Sequence, residues 1–390
     1  MEEKQKKGAV PYLLTAAAII LGLLSLMLYQ QNRTLEQKLA ENSRMAELEQ
    51  YVEENFYTDV DKDAAMDGAL KGYVEGLDDP YSVYLTPEEY GDWQEMESGT
   101  SVGIGVTVQA SGEDGMLVVE VSADSPAEKY GIQVDDVIVA VDGSLVSELG
   151  FEEAVAAVKG EVDTEVVLTI RRNGEELDYT VVRGALVTVT ASGQMLKENV
   201  GYIRISAFRE NTYAQFQDAL DTLLDAGAES LIFDVRNNGG GLLHALEDTL
   251  DPLLPEGVIA VANYGNGTVS NIVESDAEML DIPMAVLING NTASAGELFA
   301  ASLHDFGKAF LVGTTTFGKG VMQDTRTVSG GAVTLTVATY QTVRGECYHG
   351  IGVAPDYETV LEEEYVIDFD TPDTEGDAQL RTAYEKLTQE

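Results

Sequence analysis

Three runs in the second half of the chain, GYIRIS (201–206), SLIFDV (230–235) and PMAVLIN (283–289), are apolar through most of their length and are separated by stretches of helical spacing. A strand with polar residues at alternate positions can leave one face in water, but these runs cannot. They require a sheet covered by helices, which predicts a mainly parallel, layered α/β domain over 185–360, with further strands at 309–313 and 332–340. Residues 99–184 keep a different rhythm. Short strands (GIGVTVQ, GMLVVEVS, DVIVAVDG, EVVLTIRR, LDYTVVR) surround a single helix near 151–159, with turns at Asp142–Gly143 and Asn173–Gly174. That pattern predicts a small, partly open β-barrel.

The first fifty residues have a third pattern. Residues 10–28 carry no charge, and at 1.5 Å per residue such a helix reaches roughly 28 Å, close to a hydrocarbon core of about 30 Å. Lys4, Lys6 and Lys7 precede the run, which favours a cytoplasmic tail (1–9), an anchor (10–28) and an external body. A cleaved signal peptide is the alternative, opposed by the length of the run and by the absence of a small-x-small site after it. A helical stalk (29–50) and an N-terminal helical region (51–98) are expected next. Leu35, Leu39, Met45, Leu48, Val52 and Phe56 fall at helical intervals, while Asn42 and Glu49 break a heptad, so stalk and dimer contact both remain open. In LDDPYSVYLTPEEY, the Thr86–Glu89 spacing suits a capped helix start. The segment 361–390 is acidic, with one late helix and a structural role.

Composition excludes several chemistries. With 23 Lys and Arg against 68 Asp and Glu, the net charge is -45, which argues against binding a phosphate backbone. Three histidines and one cysteine cannot build a His/Cys metal cluster or an intrachain disulfide. No metal or cofactor is expected.

Four places remain where chemistry could sit. Ser294, in NTASAGELFAASLHD, opens a helix leaving the carboxyl end of a strand, where unpaired N–H groups collect; it is also a plain N-cap candidate. His304, ten residues along that helix, cannot reach back to it, whereas His244 and His349 leave a Ser–His–Asp triad open. Lys319, in TTTFGKGVMQ, lies between two glycines and an apolar strand that could lower its pKa, or it is an exposed turn lysine. FDVRNNGGGLLHAL (233–246) presents either a concave array of N–H groups for an oxyanion or a structural turn; it has neither Walker nor GxGxxG spacing. SVGIGV (101–106) reads as a carboxylate cradle, with a peptide added as a strand beside VTVQ and against Val155 and Val158, or as a β-turn. Cys347 and His349, two residues apart, share a face without a defined base geometry, and Cys347 is taken as a bystander.

Together these segments resemble the C-terminal processing peptidases, or tail-specific proteases. FDVRNNGGG, NTASAGELFAASLHD and TTTFGKGVMQ are similar to the family's three core motifs. VVEVSADSPAEKYGIQVDDVIVAVDG resembles its PDZ module, LDDPYSVYLTPEEY its N-terminal helical region and HGIGVAPD its closing segment. The resemblance covers about 50–360. It implies a ClpP/crotonase-like layered protease domain with an inserted PDZ β-barrel and N-terminal helices, to which the uncharged run 10–28 adds one transmembrane helix in front. The acidity and the anchored N-terminus suggest a bacterial cell-membrane location, with the catalytic body extracytoplasmic. The activity implied is serine endopeptidase cleavage through a Ser–Lys dyad: Ser294 as nucleophile, Lys319 as general base and Gln323 orienting the lysine. Oxyanion N–H groups would come from Ala295 and from Gly239 or Gly240. Gly103, Ile104, Gly105, Val106 and Val155 would grip polypeptide substrates by their free C-termini. A homodimer through the terminal helices and a regulatory partner protein are the other partners considered. The glycine loop departs from the commoner RNNPGG, SAG replaces SAS, and VRGECYHG replaces a segment with Pro and Ser. A catalytically silent PDZ scaffold is the competing reading.

Overall fold

The computed structural model describes residues 2–112, 115–276, 278–362 and 364–388, with side chains described outside 2–19 and 34–42. The chain divides into two units, 1–73 and 74–390. In the first, helix α1 runs unbroken over Glu2–Asn55 and is followed by α2, Lys62–Glu75, which ends in the second unit. The sequence predicts an anchor and a stalk as separate segments. Tyr29–Arg33, between them, contains neither Pro nor Gly, so nothing stops the helix there. Ile20, Leu21, Leu23, Leu24, Leu26, Met27 and Leu28 are all exposed. Among the described residues no helix is long and apolar enough to cross a membrane; residues 10–19 of the expected span lie outside those with described side chains.

The second unit opens with β1 (Val83–Leu85) and α3 (Pro87–Ser98). The expected cap is present: the Thr86 N–H donates to Glu89 Oε2 at 2.8 Å, and the Glu89 N–H to Thr86 Oγ1 at 3.3 Å. The β-barrel-like module follows: β2 (Thr100–Gly103), β3 (Val106–Ala110), β4 (Met116–Val121), α4 (Pro126–Lys129), β5 (Val137–Val141), β6 (Ser144–Leu145), α5 (Val146–Leu149), α6 (Phe151–Val158), β7 (Glu165–Arg172), β8 (Glu175–Val182) and β9 (Gly184–Val187). Its main sheet has the order β3-β4-β5-β7-β8, which leaves β3 as an edge strand. Met116, Val118, Ile138, Leu168 and Ile170 fill its core. Strands β2 and β9 pair separately, Thr100 with Val187 through Gly103 with Gly184, as an antiparallel ribbon at the module's entry and exit.

The remaining elements are β10 (Ala191–Met195), β11 (Val200–Ile205), α7 (Thr212–Asp225), β12 (Ser230–Asp234), α8 (Leu243–Leu250), β13 (Gly257–Tyr264), β14 (Val269–Ser275), β15 (Met284–Ile288), α9 (Ala295–Asp305), β16 (Ala309–Gly313), β17 (Val321–Val328), β18 (Gly331–Thr342), β19 (Tyr357–Glu358) and α10 (Ala378–Thr388). The three apolar runs form neighbouring parallel strands in the sheet β10-β11-β12-β15-β16-β19, in which only β10 is antiparallel. One face packs on α7, α8 and α9 through Phe216, Leu220, Leu246, Leu298 and Phe299. Phe233 and Phe299 meet edge to face, with centroids 5.5 Å apart. The other face, with Tyr202, Ile232, Ala285 and Leu287, is covered by Leu380 and Ala383 of α10, so the acidic segment supplies a layer of the domain. A second, antiparallel sheet joins β1, β18, β13 and β14, with β17 also on β18. Through β1, paired as Val83–Leu85 with Ala332–Thr334, the N-terminal region is stitched into the protease core.

Candidate active site

Ser294 sits where β15 gives way to α9. Its backbone has φ 53° and ψ -119°, a region that costs a non-glycine residue about 1–3 kcal/mol. The surrounding loop enforces it. Thr292 Oγ1 donates to the Val235 carbonyl at 2.8 Å, and the Ala293 N–H to the Asn238 carbonyl at 2.8 Å. A Cβ at Gly296 would stand 2.9 Å from the same Asn238 carbonyl oxygen, so only glycine fits there.

Glu297, one turn into α9, is completely buried. Its Oε2 accepts the N–H of Ser294 at 2.9 Å and that of Lys319 at 2.7 Å. Its Oε1 accepts the Gly318 N–H at 2.6 Å and the Thr316 hydroxyl at 2.5 Å. Four donors satisfy one buried carboxylate, as such a group requires. One oxygen thereby ties the backbones of the two residues that the sequence singles out for chemistry.

Lys319 is half-buried. Burial lowers its pKa from the ordinary lysine value, opposed by the negative charges of Asp79 and Glu297. Its ammonium lies 4.8 Å from the centroid of the Tyr81 ring. Its carbonyl accepts the Tyr340 hydroxyl at 2.9 Å. Burial raises the pKa of Tyr340, opposed by hydrogen bonding to Ser294 and Tyr348. Gln323 Nε2 donates to Thr336 Oγ1 at 3.1 Å, and no hydrogen bond joins it to Lys319 among the described residues.

The glycine loop closes over the start of α9. A Cβ on Gly240, at φ +105°, would stand 2.8 Å from Ser294 Cβ and 3.0 Å from the Ala295 nitrogen. The Gly240 N–H donates to Asn238 Oδ1 at 2.8 Å, so that expected oxyanion donor is occupied. Gly239 is exposed, and a Cβ there would meet nothing within 4 Å. The loop hangs from a buried charge cluster on β12. Arg236 Nη2 donates to Asp234 Oδ2 at 2.5 Å, and its Nη1 reaches Asp377 at 2.7 Å and Gln379 at 2.9 Å. Burial acts to raise the Asp234 pKa, but Arg236, Arg204 and Tyr202 outweigh it and hold the carboxylate below its usual range.

Gly103, Ile104, Gly105, Val106 and Val155 come together along a groove of about 1240 Å³, which continues past Lys159 to Ser206 and Arg209 of the core. The edge strand β3 forms one of its sides. None of the three histidines is hydrogen-bonded to Ser294 among the described residues. His244 pairs with Glu210 at 2.9 Å, His304 with Asp305 and Asp356, and His349 packs edge-on to Tyr81. Cys347 Sγ lies 3.9 Å from the Gly320 carbonyl oxygen. No group of three or more His, Cys, Asp or Glu that could hold a metal ion occurs among the described residues.

Three residues of this neighbourhood escape the sequence reading. Glu297 reads as an ordinary third residue of a capped helix, and Asp79 and Tyr81 as loop residues. Nothing local announces that they meet Lys319.

Comparison with known proteins places the chain in a family. Residues 199–359 match Peptidase family S41, residues 117–172 a PDZ domain and residues 24–89 the Activating protease CtpB N-terminal domain. The chain is 33% identical over 359 residues to the carboxy-terminal processing protease CtpA of Bacillus subtilis, spanning 90% of this chain and 77% of that one. It is 36% identical over 328 residues to the carboxyl-terminal-processing protease of Synechocystis, spanning 82% and 76%. The crystal structure of a putative S41 protease from Bacteroides fragilis shares the fold, with a TM-score of 0.50 at 17% identity over 86% of this chain and 98% of that one. With these relatives covering most of its length, the chain belongs to peptidase family S41 and is a serine-type protease carrying a PDZ domain.

Proposed function

We propose that the chain is a membrane-anchored, extracytoplasmic C-terminal processing endopeptidase working through a Ser294–Lys319 dyad. The observation that carries this reading is the shared carboxylate oxygen of Glu297, which holds the backbones of both residues. In the proposed cycle, neutral Lys319 takes the Ser294 proton as the hydroxyl oxygen attacks a peptide carbonyl. The Ala295 N–H and a glycine-loop N–H receive the oxyanion, each worth roughly 3–4 kcal/mol. The loop donor is Gly239 as the structure stands, or Gly240 once Asn238 releases it. The protonated lysine returns its proton to the leaving amine, and water then cleaves the acyl-enzyme. Gln323 acts on Lys319 indirectly, since its amide donates to Thr336 Oγ1 and not to the lysine.

The groove along β3 takes the substrate's C-terminal residues as an added strand, with the carboxylate at Gly103–Val106. Its continuity with Ser206 and Arg209 supports passage of a chain from module to core. The Bacillus and Synechocystis relatives, both carboxy-terminal processing proteases by name, support the same substrate class. The uncharged run 10–28 and the lysines before it support an anchor with its N-terminus in the cytoplasm. A dimer through the terminal helices and a partner acting on the PDZ module belong to the same reading.

The test uses the full chain in detergent, with an unstructured peptide ending in free apolar residues and its amidated twin. Cleavage of the free form, lost in Ser294→Ala and Lys319→Ala, is the expected result. Cleavage by a folded Lys319→Ala protein would remove the dyad. No cleavage by the parent, with the peptide still bound, would favour a binding scaffold.

A further inference from the structure

The loop between α2 and β1 reaches the candidate base from outside the protease core. Tyr81 lays its ring face 4.8 Å from the Lys319 ammonium. Asp79 sits two residues before it, half-buried, with Oδ2 accepting the Ser82 hydroxyl at 2.5 Å and Oδ1 the Tyr81 N–H at 3.4 Å. This loop is held in place. Ser82 Oγ accepts the Thr336 N–H at 3.1 Å, Thr336 Oγ1 accepts Gln323 Nε2, and the chain then enters β1 against β18. Tyr81 also meets the His349 ring edge-on, with ring centroids 6.5 Å apart.

We propose that the Asp79–Ser82 loop is a working part of the active site, in which Tyr81 caps the Lys319 ammonium and Asp79 supplies its counter-charge, making both positioning residues. The proposal rests on Lys319 being the base. A lysine that cycles between neutral and charged forms needs a place to hold its proton between the attack and the departure of the amine. A ring face attracts the ammonium without a donor or acceptor that would compete with Ser294. A carboxylate on the same loop, beyond ion-pair contact, still favours the charged form and limits what burial does to the pKa. The other groups facing Lys319 do not duplicate this role. Glu297 has its four bonds filled by Ser294, Gly318, Lys319 and Thr316, and the Tyr340 hydroxyl donates to the Lys319 carbonyl. His349 faces the Tyr81 ring, and Cys347 faces the Gly320 carbonyl. The chain Asp79–Ser82–Thr336–Gln323 also gives Gln323 an indirect route to the base: it braces the loop that holds Lys319.

The experiment uses the full chain with parent, Asp79→Asn, Tyr81→Leu, Tyr81→Phe and Lys319→Ala. The pH dependence of kcat/KM is read beside the pH dependence of Lys319 acetylation by acetic anhydride, followed by mass spectrometry. Acetylation reports the neutral amine whether or not the enzyme turns over. Removing the carboxylate lowers the lysine pKa, so in Asp79→Asn both midpoints move to lower pH together. Tyr81→Leu makes Lys319 more reactive and lowers kcat more than it raises KM, and Tyr81→Phe, which keeps the ring face, rescues that defect. Unmoved midpoints in Asp79→Asn, or equal defects in Tyr81→Leu and Tyr81→Phe, overturn the positioning roles. Peptidase activity in Lys319→Ala, or an acetylation shift with no shift in rate, overturns the base assignment on which they rest.

Discussion

Glu297→Gln isolates the carboxylate that joins the Ser294 and Lys319 segments, the proposed dyad. A glutamine has one acceptor oxygen, whereas Glu297 accepts from Ser294 and Lys319 at one oxygen and from Gly318 and Thr316 at the other. The least costly orientation turns the amide NH₂ toward Thr316, whose hydroxyl already accepts the Val353 N–H at 2.7 Å. The Gly318 N–H is then buried without a partner, which costs about 1–3 kcal/mol. The Ser294 and Lys319 bonds survive but lose their charge assistance, about 1 kcal/mol each. The total is roughly 3–5 kcal/mol against about 5–15 kcal/mol for a typical domain, so the variant folds with much of its stability gone. Urea unfolding gives the stability loss and peptide cleavage the activity. The orphaned Gly318 N–H frees the segment next to Lys319, and a displacement of order 1 Å between Lys319 and Ser294 costs about 100-fold in rate, so kcat falls by about that much. Glu297→Asp, too short to reach all four donors, falls with it. A Glu297→Gln protein within twofold of the parent in kcat and within about 1 kcal/mol in stability would refute the bridge.

Ser294→Gly and Ser294→Ala are both expected to be inactive, but glycine relieves the positive φ. The glycine variant should unfold at the higher temperature, by an amount equivalent to about 1–3 kcal/mol; equal melting temperatures would mean no strain is stored there. The rate of the parent should climb with pH because burial lowers the Lys319 pKa and only the neutral amine is a base. A profile that is flat from about pH 6 to 9 with intact fold contradicts that. Arg236→Met leaves Asp234 and Asp377 buried without their shared cation, and a loss of about 3–5 kcal/mol is expected by urea unfolding. Gly240→Ala should lose activity before stability, since its Cβ points at Ser294 and Ala295; full activity would show that the loop can yield.

Much of the layered core was legible because its signals are local. SLIFDV and PMAVLIN are apolar on both faces, and they are the central parallel strands β12 and β15. The Thr86–Glu89 cap was legible for the same reason. What escaped depends on contacts across the chain. Glu297 looks like a capping residue because its bond to Ser294 is three residues away, while its bonds to Gly318 and Lys319 span more than twenty. Asp79 and Tyr81 look like turn residues because β1 brings them to Lys319 only after pairing with β18. The groove residues Gly103–Val106 were legible as a pattern before a strand. The occupied Gly240 N–H was not, since an Asn two residues earlier gives no sign of where its side chain points.

The charge cluster under the glycine loop also sets an order of assembly. Asp234 and Arg236 are made about 140 residues before Asp377 and Gln379, the partners that complete the cluster. At about 5–20 residues per second, roughly seven to thirty seconds of synthesis separate them. During that interval Arg236 lacks two of its partners and the sheet face over Tyr202 and Leu287 lacks the helix that covers it. The glycine loop beside Ser294 is therefore fully braced only after the covering helix has been synthesised.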